Sequence, residues 1–66
     1  MSITVNNKEY KFVENETVSE LLLRLQFRFP LIIVKINGNH IPRDKFTETV
    51  IQDHAIIFAI HMISGG

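Results

Sequence analysis

The segment TVSELLLRLQF at residues 17–27 decides how the rest of the chain can fold. Thr17 and Glu20 are three residues apart and form a capping box, in which each side chain bonds the backbone N–H of the other. Apolar residues then recur at helical spacing and predict one buried stripe: Val18, Leu21, Leu22 and Leu25. Because the residue before a proline avoids the helical conformation, Pro30 keeps the helix from continuing far beyond Phe27.

The remaining helix residues are predicted to face solvent. Leu23 falls off the apolar stripe, and we expect it to be exposed. Glu20 and Arg24 are four residues apart, which predicts an ion pair on the helix surface worth only about 0.3 kcal/mol.

Two segments of alternating polarity precede the helix, at residues 2–6 and 9–13. A period of two is typical of half-buried strands. Each segment collects apolar residues on one face: Ile3 and Val5, then Tyr10 and Phe12. Turn-forming residues at 6–8 connect the two segments, so the chain is predicted to begin with a β-hairpin.

Residues 31–36 are short and rich in β-branched side chains, which predicts a buried strand. Asn37-Gly38 is a strong signal for a tight turn. The turn leads into a short strand at residues 40–41, which Pro42 ends because proline cannot sit inside a central ladder.

The last part of the chain contains its longest apolar run, at residues 55–63, which predicts the final strand. Between Pro42 and this run, residues 43–51 predict a turn of helix with Phe46 and Val50 as apolar anchors. Residues 52–54 predict another turn.

The predicted order of elements is β-β-α-β-β-β. This order indicates an α+β protein with a ubiquitin-like β-grasp fold, in which a mixed sheet of four to five strands has one main helix packed on one face. Residues 1–63 are predicted to form the β-grasp domain, and residues 64–66 a flexible C-terminal Gly-Gly tail.

Length and composition exclude several classes of protein. The 66 residues include no Cys, so neither a disulfide nor a zinc thiolate site can stabilise this single domain. Seven basic residues balance seven acidic ones, and the lack of a basic excess argues against nucleic-acid binding. No apolar run approaches the roughly 20 residues that span a bilayer, and no signal peptide is visible. We therefore expect a cytoplasmic protein without a membrane partner.

The side chains offer little for catalysis. Ser2, Ser19 and Ser64 have no nearby pattern of His and acid, and the three histidines lack metal-ligand spacing. The carboxylates are scattered over caps and turns rather than paired. We predict no catalytic residue in this chain and no bound metal or cofactor.

The C-terminus offers a different kind of chemistry. Gly65 and Gly66 have no Cβ atoms and can enter a narrow slot, and the three residues from Ser64 onward reach at most about 10 Å. A carboxylate is a poor electrophile, but a partner that holds ATP can convert it into an acyl-adenylate. A sulfur nucleophile can then replace AMP. Gly66 is therefore the candidate reactive residue, with Gly65 and Ser64 as its tail.

Several segments together resemble the ThiS family, the sulfur carriers of thiamine biosynthesis. The segments are TVSELL at 17–22, Lys35-Ile36-Asn37-Gly38, Ile41-Pro42-Arg43 with Phe46, residues 50–53, and the terminal Gly65-Gly66. The most specific part is the Pro-Arg pair followed by an aromatic residue and the terminal Gly-Gly. The resemblance covers the whole chain.

The resemblance implies a reaction sequence with named partners. A ThiF-type adenylyltransferase would activate Gly66 with ATP and magnesium, which the partner rather than this chain binds. Sulfur from a persulfide donor would then give a C-terminal thiocarboxylate. A ThiG-type thiazole synthase would use that sulfur, so the chain would be a carrier rather than an enzyme.

The chain departs from the family pattern at three positions. His54 stands where the family usually has Gly in the turn before the last strand, and His would be strained there if the position has a positive φ. Phe46 stands where Trp is expected, and Ser64 where Gly or Ala is common.

Four alternatives remain open at this point. A sulfur carrier for molybdopterin synthesis shares the fold and the tail, as does a carrier for amino-acid biosynthesis. A ubiquitin-like modifier would form isopeptide bonds to lysines. A β-grasp interaction module with an incidental Gly-Gly is the fourth.

Two arguments disagree about which face of the last strand is buried. Periodicity favours the even positions, which are all apolar: Ile56, Phe58, Ile60 and Met62. The family register instead buries the odd positions, because Ile57 and Ala59 align with its core. A shift of one residue exchanges the two faces, so only one can hold. We favour the family register, which leaves Phe58, Ile60 and Met62 as an exposed apolar surface for the adenylyltransferase.

Overall fold

The computed structural model describes residues 1–27 and 31–61. Within these residues, five strands and one α-helix follow the predicted order: β1 (Ser2–Val5), β2 (Lys8–Lys11), α1 (Val18–Arg24), β3 (Ile32–Ile36), β4 (Asn39–Ile41) and β5 (Ile56–His61). A 3₁₀ turn spans Arg43–Lys45. The described helix is too short and too polar to cross a membrane.

The strands form one mixed sheet in the order β2-β1-β5-β3-β4. β5 lies in the middle, parallel to β1 and antiparallel to β3. β1–β2 and β3–β4 are antiparallel hairpins on either side of it. This is the ubiquitin-like β-grasp arrangement, so the predicted fold class is confirmed.

The capping box and the apolar stripe predicted for the helix are both present. The Thr17 hydroxyl accepts a hydrogen bond from the Glu20 N–H at 3.2 Å, and Glu20 Oε1 accepts one from the Thr17 N–H at 2.9 Å. Val18, Leu21 and Leu22 are buried and Leu25 is half-buried, whereas Leu23 is 71% exposed. The apolar stripe therefore faces the sheet as predicted.

The buried core joins this stripe to one face of the sheet and to the segment before β5. Its members are Ile3, Val5, Val18, Leu21, Leu22, Val34, Phe46, Ile51, Ala55, Ile57 and Ala59. Phe46 thus fills an aromatic core position, as the sequence indicated.

The predicted anchor Val50 is wrong, because Ile51 is buried in its place. Val50 is 41% exposed, whereas Ile51 is 2% exposed. The Ile51 N–H donates to the Glu16 carbonyl at 2.8 Å, and Thr17 and Val50 form an isolated β-bridge. Since successive side chains of extended chain point in opposite directions, this pairing turns Ile51 inward and Val50 outward.

The predicted Glu20–Arg24 pair is also wrong. Glu20 is held by the capping box, and Arg24 reaches Glu16 instead, with Nε and Nη2 each 2.9 Å from a carboxylate oxygen. Arg24 Nη2 also donates to the Lys11 carbonyl at 3.0 Å. Glu16 is only 7% exposed, so the arginine supplies the bidentate partner that a buried carboxylate requires.

The turn before β5 places His54 at a positive φ, the conformation in which we expected histidine to be strained. His54 has a φ of 65°, in the left-handed region. Its backbone N–H donates to the Ser2 carbonyl at 2.9 Å, which holds the turn against the start of β1. The His54 side chain is largely exposed and lies 3.4 Å from the Asp53 carboxylate.

Substitution of Leu21 and Leu23, which lie on different faces of α1, tests the orientation of the helix. Leu21→Ala should lower the free energy of unfolding by about 2–5 kcal/mol, because it leaves a cavity in the core. Leu23→Ala is the matched control and should change it by less than about 0.5 kcal/mol. Urea unfolding followed by circular dichroism measures both values. Equal losses in the two variants would contradict the orientation described here.

His54→Gly should stabilise the domain. Glycine removes the cost of placing a Cβ in the left-handed region but loses more backbone entropy, so we expect a net gain of about 0.5–1 kcal/mol. His54→Ala is the control, since it removes the same side-chain contact with Asp53 but keeps the Cβ. Thermal unfolding of both variants measures the difference. A gain in His54→Ala equal to that in His54→Gly would show that backbone strain is not the cause.

Candidate functional site

The candidate site lies at the C-terminal end of β5, the strand in the middle of the sheet. All five residues of β3 pair with β5, from Ile36↔Ile57 to Ile32↔His61. His61 is therefore level with the start of β3, at one end of the sheet. The segment predicted to carry the chemistry follows directly after this point.

The two faces of β5 settle the disagreement over its register. Ala55, Ile57 and Ala59 are buried, with Ile57 only 1% exposed, whereas Ile56 and Ile60 are 51% and 48% exposed. The odd positions face the helix, so the face chosen from the family resemblance is confirmed and the face favoured by periodicity is wrong. Burial against α1 selects the smaller side chains, because the helix needs space close to the sheet.

The outer face of the sheet carries an apolar patch, formed by Ile33, Ile56, Phe58 and Ile60. Ile33 of β3 lies beside Ile60, and Lys35 lies beside Phe58. Phe58 and Ile33 are half-buried, whereas Ile56 and Ile60 are exposed. We call these four residues the outer patch.

Charged and polar side chains border the outer patch on both sides. Lys35 pairs with His40 of β4, and both are exposed. Toward the other edge, Thr4 lies beside Ile56 and is paired with Glu9 of β2. The patch therefore has a basic border along β3–β4 and a border of mixed charge along β2, where Glu9 and Lys11 share the outer face. Sequence reasoning found Phe58 and Ile60 but missed Ile33, since the register between β3 and β5 is a tertiary feature.

Two of the serines considered in the sequence lie at structural positions. The Ser2 hydroxyl donates to the Glu9 carboxylate at 2.7 Å, and Ser19 lies in the first turn of α1. Residues 1–27 and 31–61 contain no cluster of three or more His, Asp or Glu side chains that could hold a metal ion.

Four predicted site residues lie outside the described residues. They are Met62 of the proposed apolar surface and the tail residues Ser64, Gly65 and Gly66. The described end of β5 at His61 marks where their segment begins.

A comparison with protein families decides the relationship of the chain. The model of the ThiS family matches residues 3–66. The chain belongs to the ThiS family. The resemblance seen in its motifs is thereby confirmed, and the match includes the segment from Met62 to Gly66.

Individual relatives agree with the family assignment along the whole chain. The sulfur carrier protein ThiS of Escherichia coli (strain K12) is 30% identical over 66 residues, which is 100% of both chains. The crystal structure of the thiamine biosynthesis protein ThiS from Geobacter metallireducens is 29% identical, with a TM-score of 0.85 and full coverage of both chains.

A solution structure gives the same result. The NMR structure of a thiamine biosynthesis protein from Geobacter metallireducens superimposes with a TM-score of 0.75 at 29% identity. It covers 100% of this chain and 88% of the solved one. The ThiS-family fold thus matches both a crystal and a solution structure.

Proposed function

We propose that this chain is a sulfur carrier for thiazole formation in thiamine biosynthesis, and that Gly66 carries the sulfur. The observation that supports this most strongly is the full-length match to a protein named as the sulfur carrier ThiS. The Gly65-Gly66 end lies within the part that the ThiS family model covers. A carrier of this kind needs an unhindered carboxylate rather than a catalytic side chain.

The proposed chemistry takes place at the main chain of Gly66. A carboxylate oxygen attacks the α-phosphorus of ATP, and magnesium pyrophosphate leaves, which gives an acyl-adenylate. A persulfide sulfur then attacks the acyl carbon, and AMP leaves. Cleavage of the resulting acyl disulfide by a thiol leaves the terminal sulfur on Gly66 as a thiocarboxylate.

The chain is a co-substrate in this scheme, not the enzyme. A ThiF-type adenylyltransferase binds ATP and magnesium, and a ThiG-type thiazole synthase takes up the sulfur. The persulfide donor is a third partner. Because the first step consumes ATP, we place the reaction in the cytoplasm.

The outer patch is the proposed docking surface for the adenylyltransferase. Three of its four residues lie on β5, the strand that precedes Gly66 in the chain. Exposed apolar side chains next to a basic border at Lys35 and His40 suit a partner surface with apolar anchors and acidic residues.

Extension of the C-terminus tests the role of Gly66. Addition of one Ala after Gly66 should abolish adenylation, because the carboxylate moves away from the position where ATP is attacked. The control adds one Ala before Met1, which is exposed at the opposite end of the chain. ATP–pyrophosphate exchange with a ThiF-type adenylyltransferase measures activation. Persistent exchange in the C-terminally extended variant would exclude Gly66 as the reactive residue.

The same reaction mixture distinguishes the candidate pathways. With a persulfide donor present, intact mass spectrometry of a sulfur carrier shows an increase equal to the exchange of one oxygen for sulfur. A ubiquitin-like modifier would instead appear as covalent ladders on other proteins. Transfer to a ThiG-type synthase, rather than to a molybdopterin synthase, assigns the sulfur to thiazole formation.

A substitution in the outer patch tests the docking surface. Ile60→Glu should raise the KM for the adenylyltransferase by about tenfold or more, as expected for the loss of a buried interface anchor. Leu23→Glu is the control, because Leu23 is also apolar and exposed but lies on α1. Unfolding midpoints of both variants check that the fold is intact. Equal KM values for the two variants would show that the enzyme does not use the outer patch.

A further inference from the structure

The pairing between β1 and β5 ends before β5 does. The parallel register covers only Thr4↔Ile56 and Val5↔Ile57, and the Asn6 N–H donates to the Ile57 carbonyl at 2.9 Å. β5 continues to His61. Beyond Ile57, the main chain of β1 turns away into the hairpin and cannot provide the next pair of bonds.

The side chain of Asn6 takes the place of that missing main chain. Asn6 Oδ1 accepts a hydrogen bond from the Ala59 N–H at 2.9 Å, and Asn6 Nδ2 donates to the Ala59 carbonyl at 3.0 Å. A carboxamide carries the same donor and acceptor as a peptide unit, so it extends the ladder by one step. We call this pair of bonds the Asn6 clamp.

The backbone of Asn6 has a conformation that most residues rarely adopt. Its φ is 53°, in the left-handed region that asparagine enters more readily than most residues. Ala59 is buried, and its N–H and carbonyl would lose their partners on the β1 side without the clamp. Two bonds therefore depend on one side chain that is 53 residues away in sequence.

We infer that Asn6 is a positioning residue for the reactive C-terminus. Ala59 is two residues before the described end of β5, so the clamp holds the part of the strand from which the chain continues to Gly66. This inference rests on the proposed function of Gly66. The clamp acts through Ala59 and touches no reacting atom.

Asn37 provides an internal comparison at the other end of β5. Its Oδ1 accepts a hydrogen bond from the Ile56 N–H at 2.9 Å, and its φ is 51°. Asn6 and Asn37 thus share a residue type, a left-handed backbone and a side-chain bond to β5. They differ in which end of β5 they hold, and only Asn6 lies at the end that leads to the tail.

The experiment compares Asn6→Gly with Asn37→Gly. Glycine keeps the left-handed backbone in both variants and removes only the side-chain bonds. ATP–pyrophosphate exchange with a ThiF-type adenylyltransferase gives KM and kcat, at a temperature where both variants are folded by circular dichroism. Amide hydrogen exchange at Ala59 and Ile56 reports the local loss of each bond.

We expect Asn6→Gly to raise KM by about threefold to tenfold without changing kcat, because fewer molecules present the tail in a competent direction. Protection of the Ala59 amide should fall by roughly tenfold, as expected for the loss of hydrogen bonds in a partly buried strand. Asn37→Gly should lower protection at Ile56 and leave KM unchanged. Asn6→Asp keeps the acceptor for the Ala59 N–H, so its KM should lie between those of the parent and Asn6→Gly.

Equal KM values for Asn6→Gly and Asn37→Gly would overturn the inference, as would a fall in kcat at unchanged KM. If Asn6→Gly does not fold, Asn6→Asp against the parent tests the clamp, because it removes only the bond from Nδ2 to the Ala59 carbonyl. The parent protein separates this result from the proposed function. No exchange with the parent would reject the role of Gly66, whereas normal exchange with equal variants would reject only the role of Asn6.

Discussion

β5 (Ile56–His61) is the strand on which the rest of the structure depends, because it lies in the middle of the sheet and must be satisfied on both sides. All five residues of β3 pair with it, whereas β1 pairs with it only at its start. Its inner side chains complete the core against α1, and its outer side chains form most of the outer patch. The same strand leads to the proposed reactive end, so packing and function depend on one short segment.

A domain of 66 residues has a small core, and without Cys it has no disulfide to stabilise it. Several of its contacts join two structural elements. Arg24 joins α1 to the buried carboxylate of Glu16 and to the end of β2 through the Lys11 carbonyl. The segment before β5 binds the start of the helix, where the Val18 and Ser19 N–H groups donate to the Thr49 and Phe46 carbonyls. These bonds satisfy helix N–H groups that have no partner within the helix. They also place Phe46 and Ile51 in the core.

A carrier that reacts at its own terminus separates its tasks differently from an enzyme. The fold has to hold one strand rigidly, present a surface to a partner and keep bulky side chains away from the terminal carboxylate. In the proposed function, the inner face of β5 meets the first requirement and the outer patch meets the second. The Gly65-Gly66 end meets the third through composition alone. In this proposal the reactive group is the main-chain carboxylate of Gly66, and the partner enzymes supply the catalytic side chains.

The features that the sequence by itself determined are those encoded within a few residues: the capping box at Thr17 and Glu20, the helical stripe and the turn at Asn37-Gly38. The Gly-Gly end and the family motifs are local in the same sense.

The tertiary structure decided the features that join distant residues. Periodicity alone favoured the wrong face of β5, because its outer face is the more apolar one and only packing against α1 shows which face is covered. Val50 and Ile51 are adjacent and similar, and the bond from Ile51 to Glu16 selects between them. Arg24 has two acids within reach, and the capping box already occupies Glu20. Asn6 looked like an ordinary turn residue, and its clamp on Ala59 exists only because the sheet brings β1 beside β5.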